Sequence, residues 1–149
     1  HFRITRDVAP KINKPKPALI HNIMIPPLGG SKGKMSGSNE NETIYTTDSP
    51  ETVKKKINKY AFSGGQPDIE EHRKKGGNPD IDVSYQYLRI FFEPDDKKLK
   101  QIHDDYKSGK MLTGELKEIL IQKINKFLES HQQKREMARD QLDKFLLKD

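Results

Sequence analysis

The sequence of 149 residues contains no cysteine. This absence excludes disulfide bonds, thiolate metal sites and a cysteine nucleophile, and it makes a reducing compartment, the cytoplasm, the expected location. No apolar run approaches the roughly 20 residues that a membrane-spanning helix needs, and the N-terminus lacks a secretory signal pattern, so we expect no membrane partner. The five His residues share no metal-ligand spacing. We therefore predict no protein-bound metal.

Apolar residues are also scarce. Hydrophobic residues make up 32% of the chain and charged residues 34%, which predicts a thin core and a slim helical body with long loops. The formal net charge is +6, and the excess lies in residues 1–36, which hold seven Lys or Arg and one Asp. A local positive field of this kind attracts phosphate groups, although a solvated basic arm would have the same charge.

The first part of the sequence has features of an interrupted α/β sheet. The chain begins without Met, so we expect it to be a piece of a longer protein. Residues 1–17 include three prolines and predict a connector without regular helix. The apolar run 18–25 ends at Pro26-Pro27 and predicts a buried strand of a parallel sheet. Residues 29–41 are mostly Gly, Ser, Lys and Asn and predict a mobile loop.

Helices are predicted from residue 48 onward. Ser49 is a suitable N-cap for a helix that begins at Pro50. Shorter helices are expected near residues 69–75, 83–92 and 95–108, and the longest helix should be capped by Thr113. The predicted fold class is therefore mainly α: a helical bundle over 48–149, following a small α/β remnant over 1–47.

The glycine-rich stretch 29–38 has the composition of a phosphate-binding loop. Glycines let the backbone approach an anion, lysines supply positive charge, and serine hydroxyls donate hydrogen bonds. It follows the predicted strand, and the carboxyl ends of strands are where α/β sheets bind ligands. Composition alone would equally fit a solvated linker.

The order of residues Lys34-Met35-Ser36-Gly37-Ser38 resembles the KMSKS motif of class I aminoacyl-tRNA synthetases. The flanking sequence looks like the eukaryotic type of tryptophanyl-tRNA synthetase over nearly the whole chain. The blocks that resemble this family are residues 3–9, 15–19, 61–65, 70–73, 76–83 and 112–117. The resemblance implies that residues 1–47 are the end of a Rossmann-type catalytic domain and that residues 48–149 form a helical anticodon-binding domain.

In that family the loop closes over ATP, bound with Mg²⁺, while L-tryptophan is activated to tryptophanyl-adenylate. The tryptophanyl group then passes to tRNA(Trp) for translation, and the full enzyme is a homodimer. The resemblance implies that Lys34 is the electrostatic clamp on pyrophosphate and that Ser36 and Ser38 are catalytic donors to phosphate. Met35 would lie beside the adenosine. Gly37 replaces the second Lys of the general motif, so it can contact phosphate only through its backbone.

The resemblance also implies tRNA contacts by Gln66, Asp68 and Lys117. Relatives often have Arg at the position of Gln66, and an amide can read a base edge but adds no attraction for phosphate. Two basic clusters, residues 54–59 and 73–75, could meet tRNA phosphates, or they could be solvated helix faces.

Alternative functions are the C-terminal part of a tyrosyl-tRNA synthetase and a non-catalytic tRNA-binding helical module. The sequence contains no HIGH-type motif, and the tryptophan pocket of the family lies upstream of His1. We therefore expect the chain to be inactive by itself.

Overall fold

A computed structural model describes residues 1–30 and 33–146. Within these ranges six α-helices form: α1 (Phe2–Val8), α2 (Pro50–Tyr60), α3 (Ile69–Lys75), α4 (Val83–Tyr87), α5 (Asp96–Lys107) and α6 (Thr113–Arg139). Short 3-10 helices cover Ala9–Ile12 and Leu142–Lys144, and a π-helical turn, Leu88–Phe92, continues α4. The predicted helical character is confirmed. None of the helices in the described ranges is long and apolar enough to cross a membrane.

Local capping determines where the helices of the bundle begin. The Ser49 hydroxyl accepts the Thr52 N–H at 3.2 Å, directly before α2, as its sequence predicts. The prediction that Thr113 caps α6 is wrong by one residue, because Leu112 occupies the cap position. The Leu112 N–H donates to the Glu115 carboxylate at 2.6 Å, which leaves the Thr113 hydroxyl free for contacts inside the bundle.

The predicted buried strand is wrong, because residues 18–25 form no strand. Ile20 is 89% exposed and Met24 is 72% exposed, while Ile25 packs against the core. A strand of a parallel sheet is stabilised by hydrogen bonds to its neighbours, and residues 1–30 and 33–146 provide no partner strand. The prediction that residues 1–17 contain no regular helix is also wrong. Residues Phe2–Val8 form α1, which ends before the first proline of the chain.

The core lies where α2, α4, α5 and α6 meet. The buried core residues of α6 are spaced three, four or one residue apart and end at Leu128. The last three turns of this helix are mostly exposed. Val53 and Ile57 of α2 are fully buried against the core residues of α6. Leu28, which precedes the glycine-rich loop, is also fully buried in this core. The bundle therefore supports the base of the loop.

A buried carboxylate connects the elements of the bundle. Asp82 has no exposed surface, and its Oδ2 accepts the Gly64 N–H at 2.9 Å and the Tyr106 hydroxyl at 2.8 Å. Its Oδ1 accepts the N–H groups of Ser84 and Tyr85, at 2.9 and 3.3 Å, at the start of α4. The residues after α2, the first turn of α4 and the last turn of α5 are thereby joined at one side chain.

Glycines allow the chain to approach this junction closely. Gly76 has a φ of +72°, and a Cβ there would collide with the Lys107 carbonyl oxygen. A Cβ on Gly64 would collide with the Asn78 carbonyl oxygen, which lies directly against it. The blocks 61–65 and 76–83, which were noted in the sequence, therefore pack against each other at Gly64 and Asn78, whereas Gly76 packs against the end of α5. Both contacts need glycine.

We expect replacement of Asp82 by Ala to lower the free energy of unfolding by about 3 kcal/mol, because several buried donors would lose their acceptor. Urea unfolding followed by far-UV circular dichroism measures this change. Asp80→Ala is the matched control, since Asp80 is exposed in the same connection; its effect should stay within about 0.5 kcal/mol. Equal effects of the two substitutions would contradict the role given to the buried carboxylate.

Candidate functional site

The structure exposes most of the loop that the sequence singles out. Lys34, Ser36, Gly37 and Ser38 are exposed, whereas Met35 is partly buried against the core. The Ser36 and Ser38 hydroxyl oxygens lie 2.8 Å apart. When one of these hydroxyls donates to the other, one hydroxyl hydrogen still remains for a further acceptor. The loop therefore presents a cation and a pair of converging hydroxyls to solvent, a combination that suits an anionic ligand.

Met35 fixes the middle of this loop on the bundle. Its N–H donates to the Ile25 carbonyl oxygen at 3.0 Å. Its side chain lines an apolar cavity of about 320 Å³ together with Ile44, Tyr87 and Ile124. A side chain in this position holds the backbone, while the polar residues on either side remain accessible.

Gly37 has no steric requirement for glycine. A Cβ at this position would meet no atom within 4 Å, and the residue has no positive φ. Its carbonyl oxygen accepts the Tyr45 hydroxyl at 2.7 Å, and the neighbouring Ser36 carbonyl accepts the Thr43 hydroxyl, also at 2.7 Å. Sequence reasoning missed both contacts, because they join residues seven and eight positions apart through an irregular segment.

A groove lies on another side of the bundle, between the turn before α3 and the start of α6. Gln66 and Asp68 line it together with Leu112, Gly114 and Glu115, and its volume is about 460 Å³. The structure therefore brings two of the three predicted tRNA-binding residues together. The two carboxylates in the lining would repel phosphate but can accept hydrogen bonds from the amino groups of bases.

The side chains of Gln66 and Asp68 also hold the turn itself. The Gln66 side-chain N–H donates to the Gly76 carbonyl oxygen at 3.0 Å. Asp68 caps α3, with one oxygen accepting the Glu71 N–H at 2.8 Å. Each side chain keeps its second polar atom for another partner, since an amide oxygen and a second carboxylate oxygen can each accept hydrogen bonds.

Lys117 is near the groove but does not line it. It follows Gly114 by about one helical turn, and its ammonium donates to the Asn58 carbonyl oxygen near the end of α2, at 3.3 Å. Burial lowers the pKa of Lys117, while the Asp82 carboxylate acts in the opposite direction. Lys117 is therefore partly a structural residue.

A buried polar network supports the floor of the groove. The Thr113 hydroxyl lies 3.1 Å from the Tyr106 hydroxyl and 3.2 Å from the Ser63 hydroxyl. The His72 ring is buried, with Nε2 placed 2.9 Å from the Met111 carbonyl oxygen. Because that oxygen can only accept, Nε2 holds the proton and Nδ1 accepts the Gln66 backbone N–H at 3.4 Å. The turn at Gln66 is therefore attached to the start of α6.

The two basic clusters are less available than the sequence suggests. Lys56 does not share the exposed face of residues 54–59, because it forms a largely buried ion pair of 2.7 Å with Asp48. In the second cluster, Arg73 donates to the Gly109 carbonyl oxygen at 2.9 Å, and Lys75 pairs with Glu71. Sequence patterns cannot show the contacts of Lys56 and Arg73, since Asp48 and Gly109 lie outside the helices that carry the two cations. The Lys75–Glu71 pair, by contrast, joins residues four positions apart within α3.

Among the residues that the structure describes, no group of three or more His, Asp or Glu side chains is arranged to hold a metal ion. The absence of a protein-bound metal stays a prediction.

Comparison with known proteins gives the family. The family model described as class I tRNA synthetases (W and Y) matches residues 1–129. The chain is 59% identical to the tryptophan–tRNA ligase of Sulfurisphaera tokodaii over 145 residues, which cover 97% of this chain and 38% of that protein. It is 52% identical to the human cytoplasmic tryptophan–tRNA ligase over 144 residues, covering 97% of this chain and 30% of that protein.

A solved structure agrees with these sequence matches. The tryptophanyl-tRNA synthetase of the archaeon Aeropyrum pernix K1 superimposes with a TM-score of 0.85 at 35% identity, over 94% of this chain and 38% of that one. The chain therefore belongs to the class I tRNA synthetases of the tryptophan and tyrosine family. Within that family these relatives are tryptophan–tRNA ligases, and the resemblance noted in the sequence is confirmed. The chain spans between 30% and 38% of the length of these curated relatives.

The network beneath the groove predicts a stability loss at alkaline pH. Burial raises the pKa of Tyr106 to about 12, whereas tyrosine in an unfolded chain ionises near pH ~10. Between these values the unfolded state releases the proton first, so the free energy of unfolding falls as pH rises through this window. Urea unfolding at several pH values should show a shallower fall for Tyr106→Phe. If the free energy of unfolding falls equally steeply with pH in the parent protein and in Tyr106→Phe, Tyr106 is not the group responsible.

Proposed function

We propose that this chain is part of a tryptophan–tRNA ligase, in which it supplies the loop that binds the phosphates of ATP and a surface that binds the tRNA anticodon. The observation that supports this most directly is that one loop exposes Lys34 and the converging hydroxyls of Ser36 and Ser38, in a chain with 59% identity to a tryptophan–tRNA ligase.

The reaction needs stabilisation of negative charge. A tryptophan carboxylate oxygen attacks the α-phosphorus of ATP, a new phosphorus–oxygen bond forms, and the bond to the bridging oxygen breaks, so that pyrophosphate leaves with the electron pair. Lys34 would place its ammonium beside the leaving oxygens, and Ser36 and Ser38 would donate hydrogen bonds to them. Met35 would contact the adenosine, and Gly37 would contribute only its backbone. Mg²⁺, bound with ATP, would share the charge.

The two proposed functions belong to two consecutive parts of the chain. Residues 1–47 would belong to the catalytic domain, because they contain the phosphate loop. Residues 48–149 would form the anticodon-binding domain, because the groove with Gln66 and Asp68 is built from α3 and α6. The acidic lining of this groove suits base edges, and Lys117, about one helical turn beyond Gly114, would supply a positive charge toward the RNA backbone.

The proposed substrates, assembly and location are taken from the family resemblance. The substrates would be L-tryptophan, ATP and tRNA(Trp), in a homodimeric enzyme that works in the cytoplasm, as the name of the human relative states for that protein. A tyrosyl-tRNA synthetase part is not favoured, because both curated relatives described above are tryptophan enzymes. A non-catalytic module is not favoured either, because it would have no use for an exposed KMSKS-type loop.

The role of Lys34 can be tested in the longer protein that contains this chain. Lys34→Ala should lower the rate of tryptophan-dependent pyrophosphate exchange by about 100-fold, since one donor aimed at developing charge contributes roughly that much. The dissociation constant for tryptophan should stay within about twofold. Lys11→Ala, another exposed lysine of the basic N-terminal region, is the control and should keep the parent rate.

Pyrophosphate exchange that is unchanged in the Lys34 variant would rule out the proposed role of the loop. The isolated 149-residue chain should show no exchange above background, because the family's HIGH-type motif does not occur in it.

The role of Lys117 can be tested by tRNA binding. Lys117→Ala should weaken binding of tRNA(Trp) about 10-fold and reduce the slope of log affinity against log salt by about one, as expected for one lost phosphate contact. Lys126→Ala is the control, because Lys126 is an exposed residue further along the same helix. Filter binding at several salt concentrations measures both quantities. Identical slopes for the two variants would argue against a phosphate contact by Lys117.

A further inference from the structure

The irregular segment 43–48 connects the glycine-rich loop to α2, and two of its side chains hold the loop directly. The Thr43 hydroxyl donates to the Ser36 carbonyl oxygen, and the Tyr45 hydroxyl donates to the Gly37 carbonyl oxygen, each at 2.7 Å. Thr43 is only 6% exposed. Two neighbouring peptide groups of the KMSKS-type loop are therefore fixed from outside the loop.

Lys56 of α2 holds this segment in turn. Its ammonium donates to the Thr43 carbonyl oxygen at 2.8 Å and to Asp48 Oδ2 at 2.7 Å. The same Asp48 oxygen accepts the Tyr45 N–H at 3.0 Å, and the Lys56 ammonium lies 4.7 Å from the centre of the Tyr45 ring. The side chains of Lys56 and Asp48 are only 12% and 11% exposed, so solvent weakens this ion pair little.

The long helix α6 contacts the segment as well. The Gln132 side-chain N–H groups donate to the carbonyl oxygens of Thr46, at 3.0 Å, and Asp48, at 3.1 Å. Residues 43–48 are therefore bound to two helices of the bundle, although they form no regular structure themselves.

We propose that Thr43 and Lys56 are positioning residues for adenylate formation, an inference that rests on the proposed function. Together with Tyr45 and Asp48 they form a brace that transmits the rigidity of α2 to the backbone of the loop at Ser36 and Gly37. Gly37 has no side chain that could pack against the bundle, so beyond Met35 the loop is held through the carbonyl groups of Ser36 and Gly37. Fixing these groups limits the positions that the neighbouring Lys34 can adopt.

The sharpest test is the replacement of Thr43 in the longer protein. Thr43→Val removes the hydroxyl and nearly preserves the shape of the side chain, whereas Thr43→Ser keeps the hydroxyl and serves as the conservative control. The valine variant should lower kcat for pyrophosphate exchange about 10-fold, because a small misplacement of a catalytic group has an effect of this order. Its tryptophan affinity should stay within about twofold, and the serine variant should keep about half the parent rate or more.

Lys56→Met should act in the same direction as Thr43→Val. Lys55→Met is the matched control, because Lys55 is the exposed neighbour on α2 and should leave kcat unchanged. A parent-like kcat in both Thr43→Val and Lys56→Met would overturn the proposal. An increase in kcat would overturn it as well, since the brace would then hold the loop in an inactive arrangement.

A double-mutant cycle distinguishes positioning from general destabilisation. If Thr43 acts through Lys34, Thr43→Val should have almost no further effect in a Lys34→Ala background. If the rate loss of the double variant equals the product of the two single losses, the proposal is overturned, because Thr43 then acts independently of Lys34.

Hydrogen exchange gives a readout that does not depend on activity. The amides of residues 33–40 should exchange several-fold faster in Thr43→Val than in Thr43→Ser, and unchanged exchange would overturn the brace. If Lys34→Ala alone leaves pyrophosphate exchange intact, the proposed role of the loop fails, whereas the amide exchange still decides whether Thr43 holds it.

Discussion

The buried carboxylate of Asp82 is the interaction on which most of this structure depends. A carboxylate without exposed surface is stable only when hydrogen bonds replace its hydration, and Asp82 accepts four of them. The donors belong to the turn after α2, the start of α4 and the side chain of Tyr106 in α5. These elements therefore have to meet at one point, although the hydrophobic core is thin.

The position of the KMSKS-type loop follows from the same junction. Val83, directly after Asp82, donates its N–H to the Phe62 carbonyl oxygen at 3.1 Å, and the Phe62 N–H donates to the Leu28 carbonyl oxygen at 2.8 Å. Leu28 is completely buried and lies just before the glycine-rich stretch. A continuous series of backbone hydrogen bonds thus leads from the carboxylate to the base of the loop, while the brace around Lys56 fixes its far side.

The sequence predicted those features that local interactions determine. Ser49 caps α2 by a bond to a residue three positions further along the chain, so pattern and position suffice to find it. The KMSKS-type motif was recognisable because its residues are adjacent. The strand over residues 18–25 was predicted wrongly, because strand formation depends on partners that a local apolar pattern does not reveal. Lys56 was assigned to an exposed face for a related reason: its partner, Asp48, lies outside the helix.

The contacts that residues 43–48 make with the loop share a chemical feature that composition could not indicate. Thr43 and Tyr45 bind the carbonyl oxygens of Ser36 and Gly37, and carbonyl oxygens are groups that an anionic phosphate cannot use. The groups that could bind a phosphate are the Lys34 ammonium and the serine hydroxyls, and these residues are exposed. Because residues 43–48 hold the loop through its carbonyl oxygens, these hydrogen-bond donors remain available to a ligand. A loop rich in glycine can be held in this way because every residue has a carbonyl group, whatever its side chain, so the anchor is invisible in the loop's own sequence.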